Sequence, residues 1–61
     1  MPWSQTRYPT SMKHLPPEVR EKAIEIANAL LVEAGYDEGK AIRIAIAKAK
    51  EWADHEGIVT D

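Results

Sequence analysis

Two histidines, His14 and His55, are the side chains of this 61-residue chain best suited to acid–base or metal chemistry. A zinc site takes three or four ligands held close together, and neither histidine has a second ligand at metal-binding spacing. No hydroxyl or amine stands near them in a pattern typical of an activated nucleophile. The chain has no cysteine, which excludes disulfides and thiolate metal sites. We therefore expect surface histidines, no metal, no cofactor and no enzymatic activity.

An acidic pair, Asp37 and Glu38, stands beside a glycine in the stretch "YDEGK". A calcium loop needs alternating oxygen ligands across about twelve residues, and the stretch lacks them. Asp37 as a helix N-cap and Glu38 in the first turn account for both carboxylates.

Basic residues are concentrated in "KAIRIAIAKAK", which runs from Lys40 to Lys50 without an acid. Lys40, Arg43 and Lys50 fall on one side of a helix, opposite its alanines. One hypothesis is that they contact nucleic-acid phosphates. The other is a solvated face paired with acids, for example Lys50 with Asp54. The net charge of −2 favours the second hypothesis, and we expect neither strong nucleic-acid binding nor membrane binding.

Two helices must position these side chains. Proline at the first helical position and an apolar stripe predict a first helix over 16–34, which Gly35 can end. Glu18 and Lys22 are spaced to pair on its outer side. Alanines at helical spacing predict a second helix over 37–55, with a tail over 57–61. The stripes comprise Val19, Ala23, Ile26, Ala27, Leu30 and Ala34 in the first helix, and Ala41, Ile42, Ala45, Ala49 and Trp52 in the second.

The short connection between the helices predicts an antiparallel hairpin. Gly39 in the first turn of the second helix costs about 1 kcal/mol relative to alanine, which suggests close packing there. Two helices leave one side of the core open, and the arm over 1–15 carries apolar side chains that can close it: Trp3, Tyr8, Met12 and Leu15. One helical turn within "TSMKHL", capped by Thr10 or Ser11, fits this arm.

The predicted fold is therefore all-α, a single small domain in which the arm packs across a helical hairpin. Val32 and Ile44 project away from the stripes and are the candidates for a contact with a partner or a second copy. The chain shows neither a signal-peptide pattern nor an apolar stretch of membrane-spanning length. We expect a cytoplasmic protein.

Several segments resemble a group of small bacterial proteins of uncharacterised function: "MPW", "RYPTSMKHL", "PEVREKAIEIANALL", "GYDEG" and "AIRIAIAKAKEWA". The resemblance extends to about Ala53. In that group the segment stands alone or ahead of a second small domain of unknown role. It implies a helical fold and a bacterial origin, and it transfers no catalytic or binding residues.

The order of elements is also similar to that of the ChaB-like proteins, which are linked to cation-transport regulation. The likeness lies in "LPPEVREKAIEIAN" followed by an alanine-rich helix that contains Trp52. It implies an accessory or regulatory protein. Together the observations favour a structural or protein-interaction module, with nucleic-acid binding and a ChaB-like accessory role as the alternatives.

Overall fold

The computed structural model describes residues 2–59 and contains a 3₁₀ turn, Thr10–Met12, and two helices, α1 (Pro17–Val32) and α2 (Glu38–Glu56). Met1, Thr60 and Asp61 lie outside the described residues, so the end of the predicted tail is not part of this account. Within residues 2–59 the backbone forms no strand, and α1 packs against α2. The predicted all-α hairpin with a packed N-terminal arm is confirmed.

Helix α1 begins at Pro17, where the missing N–H of proline leaves no helical hydrogen bond unmade. It ends at Val32, two residues before the predicted end, because the chain must leave the helix ahead of Gly35. Gly35 has a φ of 71°, a left-handed conformation that favours glycine. The Tyr36 N–H then donates to the Leu30 carbonyl at 3.1 Å. Ala34, predicted on the apolar stripe, is exposed in this turn.

Helix α2 is capped by side-chain and backbone hydrogen bonds. Asp37 Oδ1 accepts from the Lys40 N–H at 2.9 Å, which confirms Asp37 as the N-cap. At the other end Gly57 has a φ of 75°. The Ile58 N–H donates to the Ala53 carbonyl at 2.8 Å, and the Gly57 N–H donates to that of Asp54 at 3.2 Å. These two bonds form a Schellman motif, which supplies donors to carbonyls that have no partner within the helix.

The helices meet through small side chains. Alanines from both helices are fully buried in one cluster: Ala23, Ala27, Ala45, Ala49 and Ala53. A methyl side chain lets two helix axes approach closely, so the interface is tight but supplies little apolar volume. The largest fully buried side chains are Met12, Leu15 and Val19, two of which belong to the arm.

The N-terminal arm crosses this core. Trp3 and Tyr8 are half-buried and pack against the buried cluster. Between them, Ser4 and Arg7 exchange two backbone hydrogen bonds of 2.9 and 3.1 Å, which fold the arm into a tight turn. The predicted caps of the 3₁₀ turn, Thr10 and Ser11, were wrong. Pro9 occupies the cap position and accepts from the Met12 N–H through its carbonyl.

Candidate functional site

The predicted acid–base side chains are dispersed. His14 and His55 are both exposed, and so are Asp37 and Glu38. Among residues 2–59, no three side chains of the histidine, aspartate and glutamate types are grouped to hold a metal ion. The same part of the chain shows no pocket. Neither α1 nor α2, nor any other described segment, forms a helix long and apolar enough to cross a bilayer.

The basic residues Lys40, Arg43 and Lys50 are exposed, as predicted, on the side of α2 away from its buried alanines. Lys40 Nζ lies 4.7 Å from the centroid of the Tyr36 ring, which holds this ammonium by a cation–π contact. The ion pairing differs from the prediction. Within residues 2–59 the one salt bridge joins Lys22 to Glu25 at 3.3 Å, so the predicted pairs of Lys22 with Glu18 and of Lys50 with Asp54 are wrong.

The two predicted partner-contact residues differ in exposure. Val32 at the end of α1 is 65% exposed. Ile44 on α2 is half-buried. The helical wheel placed both outside the stripes, and in the structure only Val32 is exposed.

Asn28 is a structural residue that sequence reasoning missed. It is the one polar or charged side chain among the fully buried residues 2–59. Its Oδ1 accepts from the Trp3 N–H at 3.0 Å, and its Nδ2 donates to the Trp3 carbonyl at 3.0 Å. The sequence signal was a lone amide four residues after Ile24 and three before Leu31, on the edge of the apolar stripe.

Arg20 is the second missed residue. Its Nη2 donates to the carbonyls of Leu15 at 3.0 Å and Lys13 at 3.3 Å, and its Nε donates to that of Met12 at 3.3 Å. The guanidinium carbon lies 4.7 Å from the centroid of the Tyr8 ring. One side chain of α1 thus binds the end of the 3₁₀ turn and an aromatic ring of the arm.

A row of incompletely buried side chains, most of them apolar, lies on the other side of the hairpin. Lys22 Nζ is 5.6 Å from the centroid of the Trp52 ring, which fixes the alignment of the antiparallel helices. Residues four apart share a helix face, so one row continues along each helix. We call these rows the Trp52 strip: Lys22, Ile26 and Leu30 on α1, and Ile44, Lys48 and Trp52 on α2. All are half-buried except Lys48, which is exposed.

The Trp52 strip and the arm occupy different sides of α1. Arg20 and Asn28, which bind the arm, are each two residues from a strip residue, Lys22 and Ile26 respectively. Two residues turn a helix by roughly 200°, so the arm does not cover the strip. Among the described residues, Leu30 and Ile44 are half-buried without packing against the core cluster. The strip is therefore an apolar surface that the fold leaves partly open.

One bacterial protein is similar to most of the chain. Over 55 residues the chain is 60% identical to the uncharacterized protein YdaT of Bacillus subtilis strain 168. The matched segment covers 90% of this chain but 36% of that protein, so the chain spans about a third of the length of the relative. No family model matches the sequence, and no solved structure matches it.

Proposed function

We propose that this chain is a non-catalytic protein-interaction module that binds a partner protein through the Trp52 strip. The observation on which this depends is the incomplete burial of Trp52, Ile26, Leu30 and Ile44 on a side of the hairpin that the arm does not cover. A complex is stabilised when the partner excludes water from large apolar side chains that the fold leaves partly open.

Trp52 is suited to anchor such a contact. Tryptophan is enriched among the residues that dominate binding energy at protein interfaces. Lys22 holds one face of its ring, and the Lys22 ammonium also bonds Glu25 at 3.3 Å. A ring held in this way loses little rotamer freedom on binding, which lowers the cost of association.

The relative supports the idea of a module. A segment 60% identical to this chain forms 36% of YdaT, so the same helical unit occurs within a longer protein. We infer that the two chains belong to one group of bacterial proteins. In such a group the hairpin would supply a binding surface, and the rest of the longer protein would have a separate role.

Site-specific photo-crosslinking in bacterial cells tests this function. A photoreactive phenylalanine analogue would replace Lys48, which lies in the strip and is exposed. The matched control replaces Lys50, which is also exposed but lies on the opposite side of α2. We expect discrete protein adducts from position 48 and none from position 50. Equal adducts at both positions, or none at either, would contradict the proposal.

Nucleic-acid binding by Lys40, Arg43 and Lys50 is the second candidate, because all three cations are exposed on one side of α2. Three phosphate contacts give a slope of about −2.7 for log affinity against log salt concentration. A mobility-shift titration on duplex DNA at several salt concentrations measures this slope. No retardation at low salt, or the same retardation after Arg43→Glu, would exclude this candidate.

A further inference from the structure

We infer that α1 carries a peptide-binding site beneath Trp3, which takes an extended segment of a partner protein with a tryptophan at one position. In this structure the first part of the chain's own arm, residues 2–7, occupies the site. We call these residues the outer arm and residues 8–15 the inner arm, which stays in place when the outer arm leaves. The site and the Trp52 strip lie on different sides of α1, so the inference does not rest on the proposed function.

Asn28 recognises the main chain of the segment that lies on it. Its buried side-chain amide pairs with both the N–H and the carbonyl of Trp3, each at 3.0 Å. An antiparallel strand pairs the same two groups of a residue, and strand addition is a common mode of peptide recognition. These bonds use no atom of the Trp3 side chain, so any residue with a backbone N–H can make them. Proline is excluded at this position because it lacks that N–H.

The Trp3 ring gives the site its side-chain preference. It packs against the buried cluster that contains Ile24, one helical turn before Asn28 on α1. A tryptophan ring brings a large apolar area to such a contact. The residues on either side of it, Pro2 and Ser4, are exposed. The site therefore selects one side chain of an extended segment and places little demand on the two next to it.

Few contacts hold the outer arm. Five of its six residues are exposed, and the sixth, Trp3, is half-buried. A further bond of 3.0 Å joins the Gln5 side chain to the Pro17 carbonyl. Segments with few buried apolar contacts open locally, at a lower free energy than the whole domain. When the outer arm leaves, water reaches the Asn28 amide and the Trp3 backbone, so no buried polar group is left unpaired.

The inner arm is attached independently of the outer arm. Met12 and Leu15 are among the largest fully buried side chains. Arg20 binds three carbonyls of this segment, and its guanidinium carbon lies 4.7 Å from the centroid of the Tyr8 ring. The inner arm therefore continues to cover the core when the outer arm detaches, and the chain bends ahead of Tyr8.

Native-state hydrogen exchange tests whether the outer arm opens on its own. The Trp3 N–H should be protected at least about tenfold less than central helix amides such as those of Ala27 and Ala49. Its exchange should also be insensitive to low urea concentrations, because opening the outer arm exposes little surface. Equal protection and equal urea dependence of the three amides would show that the outer arm opens only with global unfolding, which overturns the inference.

Fluorescence anisotropy tests the site with a labelled peptide of residues 2–8, PWSQTRY. The full-length variant Trp3→Ala lacks the ring that competes for the site. We expect it to bind the peptide at least about tenfold more tightly than the unchanged chain, whose site is mostly occupied. Trp52→Ala removes the other half-buried tryptophan and, as the matched control, should bind no more tightly than the unchanged chain. Circular dichroism establishes that the variants are helical, and Trp3→Leu serves if Trp3→Ala is not.

Two altered peptides separate the contributions of the ring and the main chain. Alanine in place of the peptide tryptophan removes the ring, and N-methylation of the tryptophan removes the N–H that bonds Asn28 Oδ1. Each change should weaken binding to Trp3→Ala at least about tenfold, the scale of one interface anchor or one lost hydrogen bond.

Three outcomes of the peptide titrations overturn the inference: no binding by Trp3→Ala, equal binding by Trp52→Ala, or equal affinity of the three peptides. None of them bears on crosslinking at Lys48, which tests the Trp52 strip. The failure of this inference is therefore distinguishable from the failure of the proposed function.

Discussion

The side-chain amide of Asn28 bonds both backbone polar groups of Trp3, accepting from its N–H and donating to its carbonyl, each at 3.0 Å. An extended backbone normally satisfies these groups by pairing with a strand. Here one amide on a helix replaces the strand, so the arm gains a fixed position without a sheet.

Replacement of Asn28 by leucine should destabilise the domain. Asn28→Leu replaces the amide by an apolar side chain of similar shape and leaves the N–H and carbonyl of Trp3 unpaired, at a cost of about 2 kcal/mol. Urea unfolding followed by circular dichroism measures the loss. Gln5→Ala removes an exposed bond to the Pro17 carbonyl and should change stability by less than about 0.5 kcal/mol. Equal effects of the two substitutions would show that the Asn28 bonds stabilise the domain no more than the exposed Gln5 bond does.

Loss of the Trp3 indole should also lower stability. Trp3 packs against the core but is only half-buried. We expect Trp3→Ala to cost about 2 kcal/mol, less than the roughly 3–5 kcal/mol of a fully buried tryptophan. For a domain of this size, that corresponds to a drop in Tm of about 8–16 °C. The exposed Val32 supplies the control, Val32→Ala, and an unchanged Tm in Trp3→Ala would refute the packing role of the arm.

Arg20 should not be replaceable by lysine. Lysine keeps the positive charge but lacks the planar fork that reaches the carbonyls of Met12, Lys13 and Leu15. Arg20→Lys is expected to reduce the free energy of unfolding by about 1–2 kcal/mol, since carbonyls of the 3₁₀ turn lose a charged donor. Arg43→Lys makes the same chemical change at an exposed site of α2 and should have no measurable effect. Chemical denaturation measures the free energy of unfolding of both variants. Equal values for Arg20→Lys and Arg43→Lys would contradict the role of the guanidinium.

The hairpin itself could be predicted because its signals are local. Pro17 starts α1, Asp37 caps α2, and Gly35 and Gly57 adopt the left-handed conformation at the turns. The alanine spacing showed which sides of the helices meet. Each of these signals acts within a few residues of the position that it determines.

The contacts of the arm could not be predicted because they join residues far apart in sequence. Asn28 and Trp3 are separated by 25 positions, and periodicity shows which side of a helix is buried but not what covers it. The Trp52 strip was missed for a related reason. A helical wheel treats each helix alone, whereas the strip exists only once the Lys22–Trp52 contact sets the alignment of α1 with α2.

Gly39 should be replaceable by alanine with a gain in stability. The sequence suggested close packing at this turn, but that expectation was wrong. A Cβ built there meets only Asp37 Oδ1, at 3.5 Å, an ordinary contact distance. Gly39→Ala is therefore expected to raise the free energy of unfolding by about 0.5–1 kcal/mol.

Gly57 provides the contrast to Gly39. A Cβ at Gly57 meets no atom within 4 Å, but the φ of 75° is strained for an L side chain. Gly57→Ala should lower the free energy of unfolding by about 1 kcal/mol. Thermal denaturation should therefore move the Tm in opposite directions for the two substitutions. Shifts of the same sign would mean that helix propensity and backbone strain do not govern these sites.

The alanine interface should reject larger side chains. Ala45 is fully buried in the core cluster, and a leucine there would have to push the helices apart or adopt a strained rotamer. Ala45→Leu is expected to cost about 1–3 kcal/mol, the range for overpacked cores. Ala47→Leu adds the same atoms at an exposed position of α2 and should change stability by less than about 0.5 kcal/mol. If urea unfolding instead showed Ala45→Leu to be as stable as Ala47→Leu, the helices would not be in close contact at Ala45, and the tight hairpin on which the arm and the strip both depend would be wrong.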